Sequence, residues 1–101
     1  MTAPQHAFGE IIPDDLLERL REELETARDS RLAQLEDAPE NDDIALAFRE
    51  INEKALEEIT AALERMDAGV YGICERCRSV ISTARLEAVP QTRFCVACAS
   101  K

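Results

Sequence analysis

The sequence predicts a mostly α fold, in which an antiparallel two-helix coiled-coil hairpin is followed by a small module built around four cysteines. Leu and Ala recur at helical spacing among Glu and Arg through the first two thirds of the chain, and Pro39 interrupts that pattern once. The four cysteines fall in two C-x-x-C pairs in the last third. Aromatic residues make up only 4% of the 101 residues, which favours long amphipathic helices over a thick globular core.

The first helix is expected over Asp14–Glu36, after an N-terminal tail that spans residues 1–12. Pro13 suits the first turn of a helix, and the two aspartates that follow favour the positive end of the helix dipole. The apolar positions recur every three or four residues and are Leu16, Leu17, Leu20, Leu24, Ala27, Leu32 and Leu35. This spacing predicts one narrow apolar stripe.

The second helix is expected from about Asp42 to Asp67. Pro39 cannot lie inside a helix, Asn41 is a good N-cap, and Gly69 stands where a left-handed C-cap is wanted. The predicted apolar positions are Ile44, Ala47, Phe48, Ile51, Ala55, Ile59, Ala62, Leu63 and Met66. Two such helices joined by about five residues should fold back on each other. The hairpin is therefore predicted over residues 13–68, with its tip near residues 37–45.

The charge of this hairpin limits its partners. From Asp14 to Asp67 there are 18 acidic and 7 basic residues, a balance of −11. Such an arm should be repelled by nucleic acid, so we expect no direct nucleic-acid binding and disfavour a zinc-ribbon nucleic-acid binder. No run approaches the roughly 18 apolar residues of a membrane span, and the N-terminus lacks the pattern of a secretory signal, so we expect a cytoplasmic protein.

The cysteine spacing predicts a metal site. Cys74, Cys77, Cys95 and Cys98 form two pairs separated by 17 residues, which is the spacing of tetrahedral structural zinc sites. Iron is the main rival metal, and two disulfides or a redox pair are the non-metal alternatives. With four sulfur ligands no position is left for water or substrate, so one structural Zn²⁺ is expected.

The module around these cysteines, residues 69–101, is short of apolar mass. Zinc binding, worth on the order of 10 kcal/mol, would supply its folding free energy. Ser82–Ala88 predicts one or two helical turns between the two pairs. No Ser-His-Asp set, Gly-rich phosphate loop or open metal site can be assembled, and the single histidine lies in the tail. We therefore expect no enzyme.

This module resembles the C4 zinc finger of the DksA/TraR family at Gly69–Cys77, Ile81, Arg85–Pro90 and Cys95–Cys98. The acidic hairpin before them is similar in shape to the arm of that family. The resemblance implies a transcription regulator that binds bacterial RNA polymerase through its secondary channel. It also implies that an acidic hairpin tip acts near the catalytic centre and modulates initiation.

The family tip reads Asp-x-x-Asp-x-Ala, and Glu40, Asp43 and Ala45 fit it as Glu-x-x-Asp-x-Ala. Asp42 could take the place of an acid if the turn is one residue out of register. The alternative is that Asp42 and Asp43 only stabilise a helix start, worth about 0.3–1 kcal/mol each.

Polymerase contacts are expected from arginines of the module, because the chain stops three residues after Cys98, short of the C-terminal helix that many family members use for grip. The candidates are Arg76, Arg78, Arg85 and Arg93, each of which is otherwise a solvated surface charge. Arg78 stands where the family usually has Gly. The resemblance also raises guanosine tetraphosphate as a cooperating ligand. The competing hypothesis is a zinc-stapled coiled-coil adaptor that binds another protein without direct action on polymerase.

Overall fold

The computed structural model describes residues 12–37 and 42–100. Within them the chain forms two long helices, α1 (Asp14–Asp37) and α2 (Asp43–Ala68), and two short ones, α3 (Thr83–Ala88) and α4 (Val96–Ala99). Helices α1 and α2 pack against each other as a hairpin. The predicted mostly helical fold is thus confirmed, and both long helices end within one residue of their expected bounds. None of the described helices is both long and apolar enough to cross a membrane.

The two ends of α2 carry side-chain and backbone caps. Asp42 is the N-cap, and its Oδ1 accepts a hydrogen bond from the Ala45 N–H at 2.7 Å. The prediction that Asn41 is the N-cap is therefore wrong by one residue. At the other end Gly69 is left-handed, with φ 78°, as predicted, and its N–H donates to the Met66 carbonyl at 3.2 Å. A glycine is favoured there because other residues are strained at positive φ.

The seam between α1 and α2 follows a seven-residue repeat on α2. The buried residues in this repeat are Ala45, Asn52, Ile59 and Met66; Ala62, Leu63 and Arg65 are also buried near the end of α2, and Leu20 and Leu24 are buried on α1. The predicted stripe is wrong in the distal half, because Ile44 is 83% exposed and Ile51 is 64% exposed. In each case the next residue is buried instead, Ala45 at 6% and Asn52 at 0% exposed, and Asn52 contacts Arg31 of α1. The larger apolar residues lie beside the seam.

The core is concentrated at the base of the hairpin, where the helices meet the C4 module. Tyr71, Ile81 and Leu86 are buried there, at 0%, 1% and 0% exposed. Ile12, from the predicted tail, is also fully buried, and a Cβ on Gly72 would lie 2.7 Å from its Cδ1. The first eleven residues of that tail lie outside the described part of the chain. The hairpin therefore stands on a base that joins three separate parts of the sequence.

Candidate metal centre and hairpin tip

The four cysteines converge on one point. All four Sγ atoms lie within 4.8 Å of one another, and those of Cys77 and Cys95 are 3.8 Å apart. Four sulfurs bonded to zinc at about 2.3 Å lie about 3.8 Å from each other in a regular tetrahedron. The donor set and its spacing therefore fit one zinc ion. Cys74 and Cys98 are buried, whereas Cys77 is exposed.

The first pair is held by a tight turn. The Cys74 N–H donates to the Ser79 carbonyl at 2.8 Å, and the Arg78 N–H donates to the Cys74 carbonyl at 2.9 Å. Ile73 and Val80 form an antiparallel bridge that closes this turn. Arg78 has φ 66° and is the one non-glycine residue with positive φ in the described part of the chain. The turn thus keeps the left-handed geometry that glycine adopts easily, although arginine occupies the position.

The second pair is held by helix α4. Cys95 is its N-cap residue, and the Ala99 N–H donates to the Cys95 carbonyl at 2.8 Å, which brings Cys98 back one turn later. The two pairs are joined by a backbone bond from the Glu75 N–H to the Arg93 carbonyl at 2.9 Å. A turn therefore supplies one pair of thiols to the site, and the start of a helix supplies the other.

The protein environment shifts the pKa values of the Cys74, Cys77 and Cys98 thiols in different directions. Burial raises the pKa of Cys74, but backbone N–H groups of Cys77, Cys95 and Arg76 outweigh it and lower this pKa to about 6. The Ser79 side chain and backbone lower the pKa of Cys77. Burial raises the pKa of Cys98 to about 12. Metal binding requires all four cysteines as thiolates, so zinc affinity should depend on pH.

Arg65 connects α2 to both cysteine pairs. Its Nη2 donates to the carbonyls of Thr92 at 3.1 Å and Gln91 at 3.4 Å, just before the second pair. Its Nη1 lies 3.7 Å from Oε2 of Glu75, which stands between the two cysteines of the first pair. Burial lowers its pKa. Sequence reasoning missed this residue, because a basic side chain in the last turn of a helix is already explained by the helix dipole.

The arginines expected to contact polymerase have different surroundings. The guanidinium carbons of Arg76 and Arg93 lie 5.4 and 5.5 Å from the centre of the Phe94 ring. Arg93 also pairs with Glu75 at 3.3 Å. Arg85 is half-buried, with Nη2 3.4 Å from Thr92 Oγ1. Arg76, Arg78 and Arg93 are exposed at the surface.

The residues of the predicted tip also differ. Asp42 uses one carboxylate oxygen to cap α2. Asp43 is exposed in the first turn of α2, and no hydrogen bond or ion pair to its side chain is found among residues 12–37 and 42–100. Ala45 is only 6% exposed. Glu40 lies outside the described residues. A free carboxylate at the start of α2 is thus supplied by Asp43.

Comparison with known families bears out the sequence resemblance. Residues 69–101 match the model of the prokaryotic dksA/traR C4-type zinc finger. Together with the converging thiols, this match confirms a C4 zinc-finger module with one zinc ion as its cofactor.

The chain is similar to two curated proteins over about half of its length. It is 52% identical over 46 residues to an uncharacterized protein of Aquifex aeolicus, and these residues are 46% of this chain and 32% of that one. It is 46% identical over 48 residues to general stress protein 16O of Bacillus subtilis, 48% of this chain and 29% of that one. The chain therefore matches about a third of the length of these relatives.

Among solved structures, the chain is similar to the transcription factor DksA2 of Pseudomonas aeruginosa. The TM-score is 0.57 and the sequence identity 28%, and the alignment covers 97% of this chain and 81% of DksA2. The likeness thus includes the hairpin as well as the C4 module.

Proposed function

We propose that this chain, whose residues 69–101 form a zinc finger of the prokaryotic dksA/traR C4 type, is a non-enzymatic transcription regulator that binds bacterial RNA polymerase. The observation that carries the proposal is the alignment of 97% of the chain with the transcription factor DksA2. A zinc finger alone would be compatible with many roles, whereas the same finger at the base of a similar helical hairpin favours this one. A cytoplasmic location follows from the proposal, because polymerase acts there.

The proposed mechanism places the hairpin in the secondary channel of polymerase, with its tip towards the catalytic centre. Two packed helices of 24 and 26 residues make an arm roughly 35–40 Å long. A stiff arm lowers the entropic cost of delivering a carboxylate to a fixed position. A carboxylate beside the catalytic magnesium can perturb its coordination, and this mechanism assigns that role to Asp43.

The remaining predicted residues take supporting roles in this proposal. Asp42 and Ala45 shape the tip, since Asp42 caps α2 and Ala45 is buried in its first turn. The exposed arginines Arg76, Arg78 and Arg93 would meet acidic surface at the channel rim. When bound, zinc cross-links the two cysteine pairs and so fixes the base from which the arm projects. Guanosine tetraphosphate remains a proposed cooperating ligand.

The decisive variants are Asp43→Asn and Asp42→Asn. Both keep a residue type suited to a helix start, and Asn at position 42 can still cap α2. In transcription assays with purified polymerase, Asp43→Asn should abolish the regulatory effect while its affinity for polymerase, measured by competition with a known secondary-channel factor, stays unchanged. Asp42→Asn should retain more of the effect.

Two results would reject the proposal. If micromolar wild-type protein does not bind polymerase, or binds without competition from the secondary-channel factor, the docking mode is wrong. If both tip variants act like the wild type, the tip has no regulatory role, and the coiled-coil adaptor becomes the better hypothesis.

A further inference from the structure

An apolar face is exposed on the distal half of α2. It comprises Ile44, Phe48 and Ile51, which are 83%, 44% and 64% exposed, and we call it the distal apolar face. Spacings of four and three residues put these side chains on one side of the helix. In the same stretch the buried residues are Ala45 and Asn52, at 6% and 0% exposed. The three large side chains therefore contribute little to the core of the hairpin.

Among the described residues, the first one does not cover this face. Ile12 is fixed at the base, against Gly72. Ile51 lies 17 residues before the end of α2, which is about 25 Å along the helix. Because Ile44, Phe48 and Ile51 are exposed to solvent, the distal apolar face is available to a partner.

A second copy of the chain is disfavoured as that partner by charge. Residues 42–58 carry 6 acidic and 2 basic residues, a balance of −4, and the whole chain has a net charge of −9. Pairing two such faces would bring like charges together around the apolar contact. A surface with an apolar ridge bordered by Lys and Arg would bury the face and meet opposite charge at the same time.

We infer that the distal apolar face docks on an apolar ridge of RNA polymerase that is bordered by basic residues. The inference rests on the proposed function and assigns binding affinity and regulatory effect to two different surfaces. The distal apolar face supplies affinity through desolvation of large side chains, and the exposed Asp43 supplies the regulatory effect. The acidic residues beside the face select a basic surround rather than add much affinity.

The test compares variants on and off this face for binding to purified bacterial RNA polymerase. Ile51→Ser removes an exposed apolar residue of the face, and Leu46→Ser is its control. Leu46 is 54% exposed but lies two residues from Ile44, and therefore on a different side of α2. Ile51→Ser should weaken binding about fivefold, and serine at all three face positions about thirtyfold, typical of interface hot spots. Leu46→Ser should leave the dissociation constant within about twofold.

A second measurement, transcription at saturating protein concentration, separates binding affinity from regulatory effect. At saturating concentration the triple-serine variant should regulate transcription as the wild type does, whereas Asp43→Asn should bind normally and fail to regulate. Circular dichroism of each zinc-loaded variant checks that the hairpin is formed.

Three outcomes overturn the inference in distinguishable ways. Undiminished binding by the triple-serine variant, with the wild type bound, overturns the inference alone and leaves the proposed function standing. Failure of the wild type to bind polymerase rejects both. Sedimentation of the wild type as a dimer that the triple-serine variant dissociates identifies the face as an interface between two copies.

Discussion

Arg31 on α1 donates a hydrogen bond from Nη1 to Oδ1 of Asn52 on α2, at 2.8 Å across the seam. Asn52 is completely buried, and its Nδ2 donates to the Phe48 carbonyl at 2.9 Å, so both ends of its amide are satisfied. A single polar residue in an otherwise apolar seam commonly fixes the register of a coiled coil at some cost in stability. Here the pair aligns the distal halves of the two helices, where large buried apolar residues are few.

Removing one partner of this pair should be costly. We expect Asn52→Ala to lower the free energy of unfolding by about 1–3 kcal/mol, because it deletes the acceptor of the Arg31 guanidinium and leaves a cavity. Urea unfolding of the zinc-loaded protein, followed by helical circular dichroism, measures this change. In a double-mutant cycle with Arg31→Ala, we expect a coupling of about 0.5–2 kcal/mol. Strict additivity of the two single changes would show that the hydrogen bond has no role in stability.

Replacing Arg78 by glycine should stabilise the C4 module. Arg78 has φ 66°, a conformation that costs an L-residue roughly 1 kcal/mol, and glycine removes this strain. Glycine also raises the entropy of the unfolded chain, which offsets part of that gain in stability. The net expectation is a gain of about 0.5 kcal/mol in the free energy of unfolding, measured by urea titration with zinc bound.

The matched control is Arg76→Gly, because Arg76 is exposed in the same turn but has negative φ. This change should destabilise the module, since it adds only unfolded-state entropy and removes the contact with Phe94. Equal destabilisation by both glycines would mean that the strain at position 78 is negligible.

Arg65 should support the metal site although it binds no metal. Its guanidinium links α2 to Thr92 and to Glu75, one near each cysteine pair. Arg65→Met keeps most of the side-chain volume but removes these contacts, and we expect zinc affinity to fall about tenfold, as for other residues that orient metal ligands. Competition with a chromophoric chelator measures the affinity.

Arg21→Met provides the comparison for Arg65. Arg21 pairs with Asp67 at 3.1 Å between the helices, and the carboxylate is 70% exposed. Because exposed ion pairs contribute little, this variant should bind zinc as the wild type does. If both variants lose affinity equally, the effect reflects the stability of the hairpin and not the support of the two pairs by Arg65.

The fold and the metal site were predictable because their signals are local. Helical spacing, Pro39 and Gly69 mark where α1 and α2 begin and end, and two C-x-x-C pairs at zinc spacing specify their own ligands. The chemistry of both features depends on residues close together in sequence. Neither prediction depends on which distant segments of the chain pack against each other.

The errors arose where packing between distant segments decides the outcome. On α2 two stripes run side by side, one through Ile44 and Ile51 and the other through Ala45 and Asn52. Hydrophobicity favours the first stripe, but the second is the buried one, and Asn52 in it hydrogen-bonds to Arg31 of α1. Ile12 is a second example: the local sequence predicts a tail there, but Ile12 is buried against Gly72, which is 60 residues away in sequence.

Tyr71 offers a pH probe of the whole base. Its side chain is fully buried and its hydroxyl donates to the Pro90 carbonyl at 2.8 Å. Burial raises its pKa from 10.0 to about 12, with a smaller opposing effect of Arg65. The folded protein therefore holds the proton that the unfolded chain releases above pH 10. This contribution to stability is fully present below about pH 10 and is lost as the pH rises from about 10 to about 12.

We therefore expect the free energy of unfolding of the zinc-loaded protein to fall between pH 10 and pH 12, together with the appearance of tyrosinate absorbance. Tyr71 is the only tyrosine in the chain, so the absorbance reports one site. Tyr71→Phe, which cannot ionise, should be less stable at pH 8 because it leaves the Pro90 carbonyl without its donor. It should also show a weaker decline over the alkaline range. The same decline in both proteins would assign the alkaline loss of stability to groups other than Tyr71.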